Sequence, residues 1–221
     1  MTRQSKMYQV KAILFDMDGT LVDSTKVVER TWHRFAIRHQ LDSHAVLAKA
    51  HGCRAAETVA HFAPKHIDHE QETAQVLAEE IADIEGIVAI DGAKKIVHAL
   101  SENHWAIVTS ANRELAIRRM NAAGLPIPTV LIAAEDVQQG KPAPDGYLAA
   151  AYALNVLPEE CLVFEDAPAG IASAHAAGMR VVAVGRIGKQ MELHNAQWID
   201  NFTNVQLNFP TDNKDQIILT L

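Results

Sequence analysis

The sequence predicts an α/β fold, a parallel, doubly wound sheet interrupted by an all-helical insertion, on three observations. Short apolar runs of strand length recur at Val10 to Phe15, Trp105 to Val108, Val130 to Ala133, Cys161 to Phe164 and Val181 to Val184. Helical pattern separates each run from the next, and that alternation builds parallel sheets from crossover units. Between Thr20 and about Ile90 no such run occurs, and Val28, Trp32, Phe35 and His39 fall at helical spacing.

Taken in order, the first run stops abruptly at Asp16, Asp18 and Gly19, so a buried strand should end in a polar loop facing a cleft. Inside the insertion, helix breakers are scarce apart from Gly52 and Pro64, and Gly52 reads as a helix-to-helix turn. Gly86 and Gly92 flank the return to the sheet. Ala93 to Leu100 is helical, and Gly124 and Pro126 close the helix after the second strand. Pro168 to Ala177, with Gly178 behind it, shows the proline-first, glycine-last asymmetry of a short helix. The final stretch, Asn204 to Leu221, mixes polar residues with Ile217, Ile218 and Leu219 and carries no functional signal.

Composition narrows the function. At 221 residues the chain is long enough for a core domain carrying a smaller inserted unit. Its 48% hydrophobic and 21% charged residues fit a globular protein rather than a disordered one. A net charge of -7 without a Lys/Arg cluster argues against nucleic acid as a partner. The polar start, Met1 to Lys11, has no apolar leader core, and no stretch approaches the ~20 apolar residues of a membrane span. A cytoplasmic protein is therefore expected. Cys53 and Cys161 lie far apart without metal or redox spacing, and Cys161, at the head of an apolar run, reads as core packing. The 11 histidines form no metal-binding pattern.

In open sheets of this kind ligands bind beyond the carboxyl ends of the strands, and four polar segments stand there. Asp16-Met17-Asp18-Gly19 places two carboxylates two residues apart before a tight-turn glycine. Alone this is equally an Asp/Gly turn, while Leu21 and Val22 do not suit a calcium loop. Thr109 and Ser110 supply hydroxyls that can donate to phosphoryl oxygens, and alone read as turn or cap residues. Lys141 stands beside a stiffening proline in Gly140-Lys141-Pro142-Ala143-Pro144-Asp145. Glu165 and Asp166 end another strand, where carboxylates without cationic partners would repel unless a divalent cation joined them. Asp166 could otherwise help to cap the following helix.

Together, DMDGTLVDS, VTS, GKPAPD and EDAPAG resemble the four motifs of the haloacid dehalogenase superfamily, in order and over nearly the whole chain. The stretches AIVTS and AGLP add a likeness to its bacterial sugar and hexitol phosphatases. The resemblance implies a Rossmann-like core of residues 1–20 and 90–221 under a helical cap of residues 21–89. It implies a phosphatase in which Asp16 is the nucleophile and Asp18 the acid and then the base. It also implies that Thr109, Ser110 and Lys141 bind the phosphoryl group. Mg²⁺ would be held by Asp16, the Asp18 carbonyl and Asp166, with Glu165 as an outer contact. The substrate expected is a small sugar or polyol phosphate, the enzyme a monomer, and Gly52 and Arg54 of the cap candidate substrate contacts.

Other members remain as alternatives. A sugar-phosphate mutase of the β-phosphoglucomutase kind would share these motifs, but such mutases carry a cap-hinge histidine where this chain has Val28. Glycerol or glycolate phosphates would also fit the chemistry. Asp18 opposes a dehalogenase or a phosphonate hydrolase, and the intact set of Asp16, Asp18 and Lys141 opposes a non-catalytic sensor.

Overall fold

The computed structural model describes residues 6–185, 197–211 and 216–221. The first five residues of the polar start, and residues 212–215 of the C-terminal stretch, lie outside the described residues. Six parallel strands form the central sheet: β2 (Ala12–Phe15), β5 (Trp105–Val108), β6 (Val130–Ile132), β7 (Cys161–Glu165), β8 (Arg180–Val184) and β9 (Gln197–Ile199). Their order is β6-β5-β2-β7-β8-β9, with β2 in the middle. Chain order therefore reverses beside β2, which opens a crevice at the carboxyl ends of β2, β5 and β7.

The strands read as unbroken apolar runs because both faces of the sheet are covered. Ile13, Phe15, Ile107, Leu162 and Phe164 enter one hydrophobic cluster. Ala12, Leu14, Ala106, Val108, Cys161 and Val163 enter the other. On the first face, Phe15 stacks on Phe164 with ring centroids 5.5 Å apart, and Phe202 packs edge-on at 5.1 Å from Phe164. Cys161 is buried on the other face as a free thiol, as its place in an apolar run implies.

The first run differs from expectation. Val10 ends a separate strand, β1 (Met7–Val10), and Lys11 breaks the run by donating its backbone N–H to the Glu160 carbonyl at 2.8 Å. In β1 the buried positions alternate, Tyr8 and Val10 inward and Met7 and Gln9 outward, whereas every residue of β2 is buried. The alternating strand belongs to a second, antiparallel sheet with β10 (Gln206–Asn208) and β11 (Ile217–Thr220), in the order β1-β11-β10. The C-terminal stretch without functional signal is thus structural, and Ile217 and Leu219 are fully buried.

The insertion holds α1 (Thr25–Arg38), α2 (Ser43–Ala50), α3 (Ala55–Phe62) and α4 (His69–Ala82). Trp32, Phe35, Val46, Val59 and Val76 form its own core. Asp42 and Asp68 accept backbone N–H groups at the starts of α2 and α4. Arg30, Arg34 and Arg38 pair with Asp83, Glu79 and Glu72 and tie α1 to α4. Two extended pieces, β3 (Val22–Asp23) and β4 (Val88–Ala89), form an antiparallel ribbon where the insertion leaves and rejoins the core. At two residues each they were invisible to strand patterning. Gly52 lies in the turn between α2 and α3 with φ +73°. The helices flanking the sheet are α5 (Ala93–Ala99), α6 (Arg113–Ala122), α7 (Asp145–Ala153) and α8 (Pro168–Ala176). Among the described residues no helix is long and apolar enough to cross a membrane.

Candidate active site

Each polar segment sits at the end of its strand because an apolar run must stop where the sheet ends. Asp16 follows β2 directly, and its backbone N–H donates to the Phe164 carbonyl at 3.0 Å. Asp16 is 6% exposed, and Lys141 reaches it from the loop before α7, Nζ to Oδ1 at 2.5 Å. The same ammonium donates to Glu165 Oε1 at 2.6 Å and to the Val108 carbonyl at 3.0 Å. All three Lys141 protons are thereby committed in a buried place, so the amine stays charged and its pKa is raised by Asp16 and Glu165 against the cost of burial. Burial pushes the Asp16 carboxyl up to about 7, and Glu165 and Asp18 add to the rise while Lys141 opposes it.

Glu165 makes contacts beyond its expected role. Its Oε1 accepts from Lys141 and from Tyr147 Oη at 3.1 Å, and its Oε2 accepts from the Ala167 backbone N–H at 2.9 Å. It thus orients the lysine, and Oε2, with one hydrogen bond, keeps acceptor capacity toward a metal ion. Tyr147 had no signal in the sequence beyond its place in an apolar helix.

Asp16, Glu165 and Asp166 can each bring a carboxylate oxygen within 4.8 Å of the others. Burial and the neighbouring carboxylates Asp16 and Glu165 raise Asp166 well above the usual range, so the cluster is short of positive charge. Hard oxygen donors without sulfur or imidazole suit Mg²⁺. The cradle is tight: a Cβ on Gly19, whose φ is +83°, would fall 2.0 Å from Asp166 Oδ2. Gly19→Ala is accordingly expected to displace Asp166 and lower kcat/KM about tenfold or more, with a matching loss of Mg²⁺ affinity in a titration.

Asp18 is held in place from two sides. Ser24 Oγ donates to Oδ1 at 2.6 Å, and Arg119 Nη1 donates to Oδ2 at 2.9 Å. Arg119, 3% exposed on α6, also donates through Nη2 to Glu80 Oε1 of α4 at 3.1 Å. Neither Arg119 nor Glu80 was singled out from sequence. The signal was faint: Arg119 stands one residue before Met120 and four after Leu115, on the buried side of its helix.

Thr109 lies at the end of β5, buried, with its hydroxyl accepting the Ala111 backbone N–H at 3.1 Å. Ser110 lines the same cavity, but its hydroxyl donates to the Gly52 carbonyl at 2.9 Å, a link from core to insertion. Asp16, Asp18, Thr109, Ser110, Asp166 and Gly52 all line one cavity of about 130 Å³, and Lys141 sits beneath Asp16. Arg54 does not line it. Its guanidinium donates to the Val137 and Gln138 carbonyls at 2.9 and 3.1 Å, on the loop leading to Lys141. Arg54 therefore fastens the insertion to that loop, while its buried Nε has no hydrogen-bond partner among the described residues. Val28 of α1 does line the cavity.

Two carboxylates at the end of β2, a buried lysine and an acidic cluster able to hold a metal ion thus meet at the crevice of a doubly wound sheet, and the relatives below make the chain a phosphatase. The chain belongs to the haloacid dehalogenase-like hydrolase family, whose model matches residues 10–178. It is 45% identical over 178 residues to hexitol phosphatase A of Escherichia coli, covering 79% of this chain and 82% of that protein. It is 32% identical over 195 residues to glycerol-1-phosphate phosphohydrolase 2 of Saccharomyces cerevisiae, covering 83% and 78%. In fold it matches β-phosphoglucomutase from Clostridium difficile with a TM-score of 0.76 at 21% identity, covering 88% of this chain and 92% of that one.

Proposed function

We propose that this enzyme hydrolyses sugar or polyol phosphate monoesters through an aspartyl-phosphate on Asp16, with Mg²⁺ as its metal. The observation that supports this most is the buried Lys141, which ties Asp16 to Glu165 beneath a cavity that Asp18 and Asp166 also line. The likeness to hexitol phosphatase A supports the substrate class.

In this reading the Asp16 carboxylate attacks phosphorus in line while the bond to the leaving oxygen breaks, and Asp18 gives that oxygen its proton. Asp18 then takes a proton from the water that attacks the aspartyl-phosphate, which restores Asp16 and releases phosphate. Lys141 offsets the charge gathered on Asp16 and the phosphoryl oxygens. Thr109 offers its hydroxyl proton to a phosphoryl oxygen, and Ser110 joins in only by giving up its bond to Gly52. Asp16, the Asp18 carbonyl and Asp166 would hold Mg²⁺, which when bound supplies positive charge against the phosphate dianion. Residues 21–89 act as a cap over a core of 1–20 and 90–221, and the small cavity is the closed state, which must open to admit a substrate.

Phosphate release from a panel of hexitol, hexose, glycerol and glycolate phosphates tests the reading. Release that needs Mg²⁺ and is stopped by EDTA supports it, whereas conversion of a sugar phosphate to an isomer without free phosphate would make the enzyme a mutase. Because a ligand carboxylate must be unprotonated, protons compete with metal as pH falls through about 7, the value for Asp16. Saturating Mg²⁺ should therefore raise the melting temperature more at pH 8 than at pH 6.

A further inference from the structure

We infer that Glu80 and Arg119 form the wall of the site that reads the leaving group, and that they select neutral, hydroxyl-bearing leaving groups over carboxylated ones. The inference rests on the proposed hydrolysis of phosphate monoesters and narrows its substrate class.

Placement comes first. Asp18 must contact the oxygen that leaves phosphorus, so the leaving group lies on the Asp18 side of the cavity. The next group beyond Asp18 is Arg119, at 2.9 Å, and beyond it Glu80, at 3.1 Å. Both line the cavity with Asp18, and both are more than nine-tenths buried. A leaving group in contact with Asp18 therefore meets this pair at its next carbons. Val28, Trp32, Leu77 and Leu115 add apolar surface to the same cavity, which suits a carbon chain, beside the polar Thr25 and His51.

The pair is not saturated. Glu80 Oε1 accepts from Arg119, but Oε2 makes no hydrogen bond among the described residues. Arg119 Nε is buried and has no acceptor among the described residues. Buried polar groups are paired as a rule, so a carboxylate oxygen without a donor on a residue that lines a cavity points to a ligand that supplies one. A hydroxyl does so, donating to the carboxylate.

Charge settles what is refused. Asp18 and Glu80 both accept from the one guanidinium, so the positive charge of Arg119 is already answered within the wall and none is left over for an anion. A leaving group with its own carboxylate, such as glycolate, would be repelled there and would leave Glu80 without a donor.

The test compares kcat/KM, by phosphate release with Mg²⁺, for a hexitol 6-phosphate and phosphoglycolate in wild type, Glu80→Gln, Glu80→Asp and Arg119→Lys. Wild type is expected to prefer the hexitol phosphate by about 100-fold or more. Glu80→Gln should shrink that preference at least about tenfold, with a raised KM for the hexitol phosphate and improved use of phosphoglycolate. Glu80→Asp keeps the charge but shortens its reach, so it should lose hexitol phosphate without gaining phosphoglycolate. Arg119→Lys, which keeps charge but not the fork, should raise KM for the hexitol phosphate more than it lowers kcat. Melting temperatures report whether each variant folds, and the wild-type comparison stands without any of them. A wild type indifferent to the two substrates, or a preference unmoved in Glu80→Gln while both activities fall together, overturns the inference and leaves hydrolysis standing. A wild type that releases phosphate from no monoester overturns hydrolysis and the inference with it.

Discussion

Asp16→Asn is expected to lower phosphate release by at least about 10⁴-fold while leaving the fold intact. Asparagine has nearly the same shape and keeps an oxygen toward Lys141, which donates to Oδ1 of the native side chain and to Glu165. Packing therefore changes little. The nucleophile is gone, however, and single losses of nucleophiles in covalent catalysis reach about 10⁴ to 10⁶. The native carboxylate is also costly to bury, as its rise to about 7 shows. Its loss should leave the melting temperature of the metal-free protein unchanged or higher. Initial rates and thermal melts of the two proteins, side by side, check both parts.

The second large effect falls on stability. Lys141→Met removes the cation between Asp16 and Glu165 and leaves two carboxylates buried together, with only Tyr147 and the Ala167 backbone N–H to answer Glu165. Breaking a buried pair from one side costs about 3–5 kcal/mol, which in a chain of this size lowers the melting temperature on the order of 10 °C. Adding Glu165→Gln to Lys141→Met removes one of the stranded charges and should recover part of the loss. If the double variant melts no higher than the single one, the cost lies in packing, not in charge. Activity should fall in both, because the phosphoryl group loses its nearest fixed positive charge.

The central sheet was legible because strands buried on both faces leave continuous apolar runs, and those runs carry the site residues at their ends. Asp16, Asp18, Thr109, Ser110, Lys141 and Asp166 could be placed from local motifs for that reason, and the structure brings them around one cavity or directly beneath it. Four things were not legible. The sheet of β1, β10 and β11 is buried on one face only and built from strands of three or four residues, so its pattern is weak. The β3–β4 ribbon is shorter still. The partners of Asp18 come from Ser24, Arg119 and, through Arg119, Glu80, which are far apart in sequence and meet only when the insertion lies over the core. The tether made by Arg54 was hidden too, because an arginine in a cap loop looks the same in sequence whether it faces a ligand or two carbonyls of another loop.

The central claim is the covalent intermediate on Asp16, and mass analysis after rapid quenching tests it most directly. The enzyme is mixed with Mg²⁺ and a hexitol phosphate, stopped in acid within the first turnover and digested. The peptide holding Asp16 should carry the mass of one phosphoryl group, transiently in the wild type and not at all in Asp16→Asn. Full turnover by the wild type with that peptide never modified, or with the phosphoryl group on another residue, would contradict the account.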